Sequence, residues 1–123
     1  MAHEGLHEAE SSLRSGTIDR HRAIVSIQEE LEAVDWYDQR VDAATDTELA
    51  AVLAHNRDEE KEHAAMTIEW LRRRDPVFDE KLRTYLFTEG DILGIEEDAE
   101  HGGDAGAAPS TTSSPSLGIG SLR

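Results

Sequence analysis

Residues 58–63 read Asp-Glu-Glu-Lys-Glu-His, and the expected fold follows from this stretch. Glu60 and His63 stand three positions apart, so they are neighbours on one face of a helix. The rest of that face is apolar over several turns, with Leu49, Val52, Leu53, Ala64 and Leu71. Burying an unpaired carboxylate is costly, so Glu60 needs a cation, a hydrogen-bond donor or a proton. The pattern predicts a metal ion here, or else a Glu60–His63 hydrogen bond at a subunit interface.

The composition excludes several classes of function. The chain has 123 residues, enough for one domain with tails. Its 27 acidic residues against 12 Lys and Arg give a net charge of −15, which argues against nucleic acid or an anionic membrane as a partner and suits cation binding. There is no cysteine and no apolar run that could cross a membrane, and the N-terminus has no basic region followed by an apolar one. We expect a soluble cytoplasmic protein, and an aromatic content of only 5% favours oligomerisation.

Two long helices are predicted, over residues 17–44 and 47–74. In the first, neither proline nor glycine interrupts an apolar stripe of Ile24, Ile27, Leu31, Val34 and Val41. Its opposite side carries Ile18, Val25 and Trp36, so this helix is expected to be covered on two sides, in part by another subunit. Thr45 and Glu48 have capping-box spacing and are expected to start the second helix.

The remaining chain predicts a short helix and a tail. Asp75 and Pro76 end the second helix and can begin a third one, whose apolar side holds Val77, Phe78, Leu82, Tyr85 and Leu86. Gly90 and Gly94 weaken any continuation. Residues 98–115 are rich in Gly, Ala, Ser, Thr, Pro and acids, which predicts a disordered linker. Apolar residues return in residues 116–123 (Ser116 to Arg123), as in a docking peptide.

The spacing from the predicted turn brings a third residue to the site. Glu30 lies 15 residues before Thr45 and Glu60 lies 15 residues after it. On two antiparallel helices both carboxylates would sit about 22 Å from the turn, at the same height. Glu30, Glu60 and His63 can therefore share an ion, and oxygen ligands with one imidazole suit iron(II) or manganese better than zinc.

One chain supplies only half of a di-iron carboxylate site. Such sites in four-helix bundles use one Glu from each of two helices and a Glu-x-x-His from each of two others. A two-fold dimer would complete the set, with two ions roughly 3.5–4 Å apart at the interface. The expected fold is all-α: an antiparallel two-helix hairpin plus a short third helix, dimerising into a four-helix bundle.

Two further acids, Glu29 and Glu32, face away from this stripe. They could form a metal-binding uptake site on the path inward, or simply a solvated acidic face. Trp36 and Tyr37 lie one to two turns from Glu30 and could quench one-electron oxidants, although core packing is the simpler role for both.

Several segments together resemble the encapsulated ferritins. They are Glu30, Trp36-Tyr37, the run HNRDEEKEH at residues 55–63 and the run RTYLFTE at residues 83–89. The tail at residues 116–123 is similar to the peptides that dock cargo inside encapsulin shells. The resemblance spans residues 19–95 and implies a ring-shaped decamer of dimers with a ferritin-like bundle at each dimer interface.

The resemblance also implies an activity and its residues. The activity is that of a ferroxidase, which oxidises iron(II) with dioxygen at a di-iron site across the dimer interface and feeds mineralisation inside an encapsulin nanocompartment. The catalytic and metal-binding residues would be Glu30, Glu60 and His63, with Glu29 and Glu32 at the uptake site. The implied organisation is a flexible arm (1–16), a half-ferritin domain (17–97), a linker (98–115) and a docking peptide (116–123).

Two alternatives remain open on the sequence alone. One is a metal-free helical adaptor that is recruited through its C-terminal peptide. The other is a di-iron or manganese oxidase that acts on a small molecule, although so small a chain offers no evident substrate pocket.

Overall fold

The computed structural model describes residues 5–102, all of whose regular elements are helical. A 3₁₀ turn at Glu10–Ser12 precedes α1 (Ser15–Ala43), α2 (Thr47–Arg74), α3 (Pro76–Tyr85) and α4 (Ile92–His101). The all-α class and the two long helices are confirmed, and α1 begins two residues earlier than expected. The described chain divides after Pro76 into two compact units.

The first unit is a hairpin of α1 and α2, joined by only three residues. The predicted capping box is wrong by one position: Asp46, not Thr45, is the N-cap of α2, and its carboxylate accepts a hydrogen bond from the Leu49 amide at 2.9 Å. A carboxylate at the N-cap also interacts favourably with the helix dipole, which favours Asp46 over its threonine neighbour.

The hairpin has a small core. Within the described residues only Ala23, Ala64 and Leu71 are buried. The large apolar side chains of the hairpin that remain at least 44% exposed are Ile24, Leu31, Trp36, Leu49, Val52 and Met66. Four of the ten residues of the predicted apolar stripes are therefore left exposed by the single chain: Ile24, Leu31, Leu49 and Val52.

A cross-helix ion pair joins the two helices near the turn. Arg57 on α2 donates to Asp38 on α1 at 2.9 Å and to its neighbour Asp58 at 3.1 Å. These bonds raise the pKa of Arg57, and the bond from Arg57 lowers the pKa of Asp58. The pair supports a fixed register between α1 and α2. This register determines which side chains of the two helices lie at the same level along the hairpin.

The second unit contains one helix more than expected. A loop with two left-handed residues, Phe87 (φ 62°) and Gly90 (φ 100°), follows α3. Asp91 then caps α4 by accepting from the Gly94 amide at 2.8 Å. Gly94 was expected to weaken a helix, but at this position its amide serves the cap.

The predicted division into domains stays a prediction. Helix α4 runs to His101, past residue 98, and α1 begins just inside the predicted arm. The other linker residues and the docking peptide at 116–123 lie outside the described range. Across residues 5–102, each helix is too short or too polar to span a membrane.

Candidate metal centre

Three predicted residues come together midway along the hairpin. Glu30 is carried by α1, and Glu60 and His63 are carried by α2. One ligand atom of each lies within 4.8 Å of the others. The equal distance of Glu30 and Glu60 from the turn brings the carboxylates to the same height, and helical spacing adds the imidazole.

Two carboxylates of α2 lie near the two nitrogens of the His63 imidazole. Its Nδ1 atom lies 3.7 Å from Oε1 of Glu60, and its Nε2 atom lies 3.8 Å from Oε1 of Glu59. The Glu60 side chain is 29% exposed and that of His63 is 47% exposed. Both side chains are therefore partly accessible to solvent and to an incoming ion.

Glu30 carries an unpartnered polar atom. Its Oε1 is buried without a hydrogen bond, and among residues 5–102 no other side-chain polar atom shares this condition. An unsatisfied buried acceptor costs about 1–3 kcal/mol, and more when it is charged. A cation held against Glu60 and His63 would remove this cost, so the residues present fit a metal ion.

The size and chemistry of the group also fit a single ion. Three ligand atoms bound to one ion at about 2.1 Å stand about 3–3.6 Å from one another. The three atoms here lie within 4.8 Å of one another, so the side chains need to approach by at most about 1–2 Å to share an ion. Two carboxylates with one imidazole form a hard donor set suited to iron(II) or manganese.

The other predicted residues lie apart from this group. Glu29 and Glu32 are exposed on α1 and are not members of the cluster. Tyr37 is half-buried, with the Arg40 guanidinium 5.4 Å from its ring, and Trp36 is 49% exposed. Neither is buried as a core residue would be.

Sequence reasoning missed the position of Glu59. Its carboxylate lies between two imidazoles, 3.7 Å from Nε2 of His55 and 3.8 Å from Nε2 of His63. The signal was present in the sequence, because positions 55, 59 and 63 repeat every four residues on one helix face.

Comparisons with known proteins identify the relatives of this chain. The sequence matches the EncFtn-like family over residues 5–89, which takes in α1, α2 and α3. It is 63% identical to an encapsulated ferritin-like protein of Rhodospirillum rubrum over 121 residues, covering 95% of this chain and 86% of that protein. It is 37% identical over 107 residues to an encapsulin nanocompartment cargo protein of Myxococcus xanthus, with 80% of each chain covered.

A ferritin-like protein of Thermotoga maritima is 52% identical over 98 residues, covering 80% of this chain and 86% of the relative. A crystal structure of a Nitrosomonas europaea protein is 61% identical and superposes with a TM-score of 0.70, covering 72% of this chain and 98% of that one. The family match spans the hairpin that holds Glu30, Glu60 and His63, and the chain belongs to the EncFtn-like family of encapsulated ferritin-like proteins.

Proposed function

We propose that this protein is a ferroxidase that takes iron(II) and dioxygen as substrates and yields iron(III). The observation that carries the proposal is the buried, unpartnered Oε1 of Glu30 beside Glu60 and His63. A metal-free adaptor gives no reason to bury a carboxylate oxygen without a donor. Membership of the EncFtn-like family supports iron as the ion.

The complete centre is formed by two subunits. One chain offers three ligands, and an isologous dimer would double them, so that two iron ions are held per interface. The exposed apolar residues on both helices, among them Leu31 and Val52, support this dimer because they would otherwise remain in water. The ring-shaped decamer is inferred from the family resemblance.

The ligand set favours oxidation of the bound substrate. Glu30 and Glu60 supply anionic oxygen atoms, which stabilise iron(III) more than iron(II) and so lower the reduction potential. His63 contributes a neutral nitrogen and limits the negative charge at the centre. Each iron(II) gives up one electron; two electrons and two protons convert dioxygen to hydrogen peroxide, and four of each convert it to two waters. Exposed Glu29 and Glu32 attract iron(II) at the surface as an uptake site.

Iron is stored in the lumen of an encapsulin compartment and not within this small protein. One relative is described as an encapsulin nanocompartment cargo protein, and another as an encapsulated ferritin-like protein. We propose that residues 116–123 dock on the encapsulin shell protein and hold this enzyme inside the compartment in the cytoplasm. Deleting residues 116–123 should leave iron oxidation intact and abolish co-purification with co-expressed shells.

Oxygen consumption tests the activity. Iron(II) added to the metal-free protein should accelerate oxygen uptake well above iron in buffer, and Glu60→Gln and His63→Ala should each remove most of the acceleration. Glu62→Gln is the matched control, because it removes one acidic charge from the same stretch of α2 outside the cluster. Oxygen uptake equal to buffer in the wild-type protein would contradict a ferroxidase and favour the adaptor.

A further inference from the structure

Glu59 lies beside the imidazole of the candidate metal centre without belonging to the ligand cluster. Its Oε1 is 3.8 Å from Nε2 of His63, and its Oε2 is 3.7 Å from Nε2 of His55. The two carboxylate oxygens therefore face two different imidazoles, one of which is a candidate ligand. Helical spacing produces this arrangement, since both imidazoles stand four residues from Glu59.

The two nitrogens of His63 have different surroundings. Nδ1 lies 3.7 Å from Oε1 of Glu60, on the side of the cluster, while Nε2 lies near Glu59. A neutral imidazole carries one proton, and only the nitrogen without it has a lone pair for a metal. Metal binding at Nδ1 therefore requires the tautomer with its proton on Nε2.

We propose that Glu59 is a positioning residue that selects this tautomer, by accepting a hydrogen bond from Nε2–H of His63. The inference rests on the proposed metal centre and adds a residue to it. A carboxylate partner on the distal nitrogen fixes the ring orientation and raises the basicity of the ligating nitrogen. The 3.8 Å separation must shorten by about 1 Å to reach a charge-assisted hydrogen bond. Both side chains are 47% exposed and are free to make this adjustment.

His55 supports the arrangement from the other side. Its Nε2 lies near Oε2 of Glu59, so the carboxylate keeps Oε1 for His63. Without the Glu59 carboxylate, the His63 ring should adopt several orientations. Removing a nearby acid that contacts neither imidazole should leave the ring orientation unchanged.

The tautomer can be observed without any metal. Histidine-selective 15N labelling at about pH 8.5, about two pH units above the pKa of a free histidine, reports which nitrogen of each neutral ring carries the proton. In the metal-free wild-type protein we expect His63 to be predominantly protonated on Nε2, with its resonances assigned by their loss in His63→Gln. In Glu59→Ala we expect a mixture of both tautomers, while Glu62→Ala, with the same charge change, should resemble the wild type.

The dissociation constant for manganese(II), measured by electron paramagnetic resonance, tests the consequence. Glu59→Ala should raise it by about tenfold relative to Glu62→Ala. An unchanged tautomer in Glu59→Ala, or equal dissociation constants in the two variants, would overturn the role of Glu59. A wild-type protein that binds manganese but does not accelerate oxygen uptake with iron(II) would overturn the ferroxidase proposal and leave the role of Glu59 intact.

Discussion

The Nδ1 atom of His63 lies 3.7 Å from the Oε1 atom of Glu60, three residues earlier on α2. A single helical turn thus presents an oxygen and a nitrogen donor side by side, and Glu30 of α1 adds a second oxygen. Because both helices contribute, the group exists only when the hairpin is folded. Metal binding and folding should therefore be linked.

Glu60→Ala should abolish stabilisation by metal. A ligand that binds only the folded state at a concentration 100 times its dissociation constant adds about 2.7 kcal/mol to the free energy of unfolding. We expect manganese(II) to raise the Tm of the wild type and of Glu62→Ala, but not that of Glu60→Ala, in differential scanning calorimetry. Without metal, Glu60→Ala should be no less stable than the wild type. A large loss in the metal-free protein would point to a structural Glu60–His63 hydrogen bond.

Glu30→Met should stabilise the metal-free protein. The substitution keeps an unbranched side chain and removes a buried oxygen that has no hydrogen-bond partner. We expect a gain of about 1 kcal/mol in the free energy of unfolding, measured with urea in the presence of a chelator. The same variant should lose its Tm response to manganese(II). A destabilised metal-free variant would mean that Glu30 is satisfied by a partner subunit.

Leu31→Ser should weaken self-association. Leu31 is 52% exposed in the single chain, so an isologous dimer can bury the remaining half of two leucines, which together contribute about 1.5–3 kcal/mol. Sedimentation equilibrium with bound manganese(II) should give a dimer dissociation constant raised roughly ten- to hundredfold. Gln28→Ser, at an exposed polar position of the same helix, is the matched control. Equal dissociation constants for the two variants would exclude this part of α1 from the interface.

Asp46→Ala should destabilise the hairpin more than Thr45→Ala does. The Asp46 carboxylate accepts the Leu49 amide at the start of α2, and loss of such a cap costs about 1 kcal/mol. Denaturant unfolding under identical conditions separates the two residues. Comparable losses would restore the capping box that the sequence predicted.

Glu69 should make the free energy of unfolding depend on pH. Its carboxylate accepts hydrogen bonds from Arg72 and Arg73 at 2.7–2.8 Å, which lower its pKa from 4.5 to about 2. A depressed folded-state pKa stabilises the protein fully above pH 4.5 and loses that effect as the pH falls toward 2. Direct conversion of the shift gives about 3 kcal/mol. Because the side chain is 41% exposed, solvent screening reduces this to about 1 kcal/mol.

Unfolding of the wild type and Glu69→Gln between pH 7 and 2 should show the difference between them shrinking below pH 4.5. The arginines stay charged over this pH range. The difference between the two proteins therefore reports the protonation of the Glu69 carboxylate, which the glutamine variant lacks. A difference that is constant with pH would mean that the ion pairs contribute nothing measurable.

The long helices could be predicted from sequence because an uninterrupted apolar rhythm fixes their period and Pro76 fixes the end of α2. Helix α4 could not, since Gly94 lowers helix propensity and only the Asp91 cap reveals its start. The burial of individual side chains was harder still to predict. Leu31 and Val52 belong to apolar stripes but are about half exposed in the single chain. The position of a residue in a stripe predicts that it is covered, but not whether its own chain or another subunit covers it.

The cluster was predictable because two regular spacings determine it. Glu60 and His63 are linked by helical periodicity, and Glu30 is linked to Glu60 by equal distances from the turn. The unpartnered oxygen of Glu30 was not predictable, because it depends on how neighbouring side chains pack around one atom. Glu59 was overlooked because, in a chain so rich in acids, its proximity to two imidazoles has no signature beyond spacing.

The three-residue connection between α1 and α2 restricts how this protein can change in length. One residue inserted into or deleted from the helical part between Glu30 and Glu60 turns one carboxylate by about 100° around its helix axis and shifts it by about 1.5 Å. Matched additions to both helices restore the phase when they make up nearly whole turns, as about seven residues do. Insertions and deletions, natural or engineered, should therefore be tolerated best before residue 30 and after residue 63. The number of helical residues between these positions should stay constant.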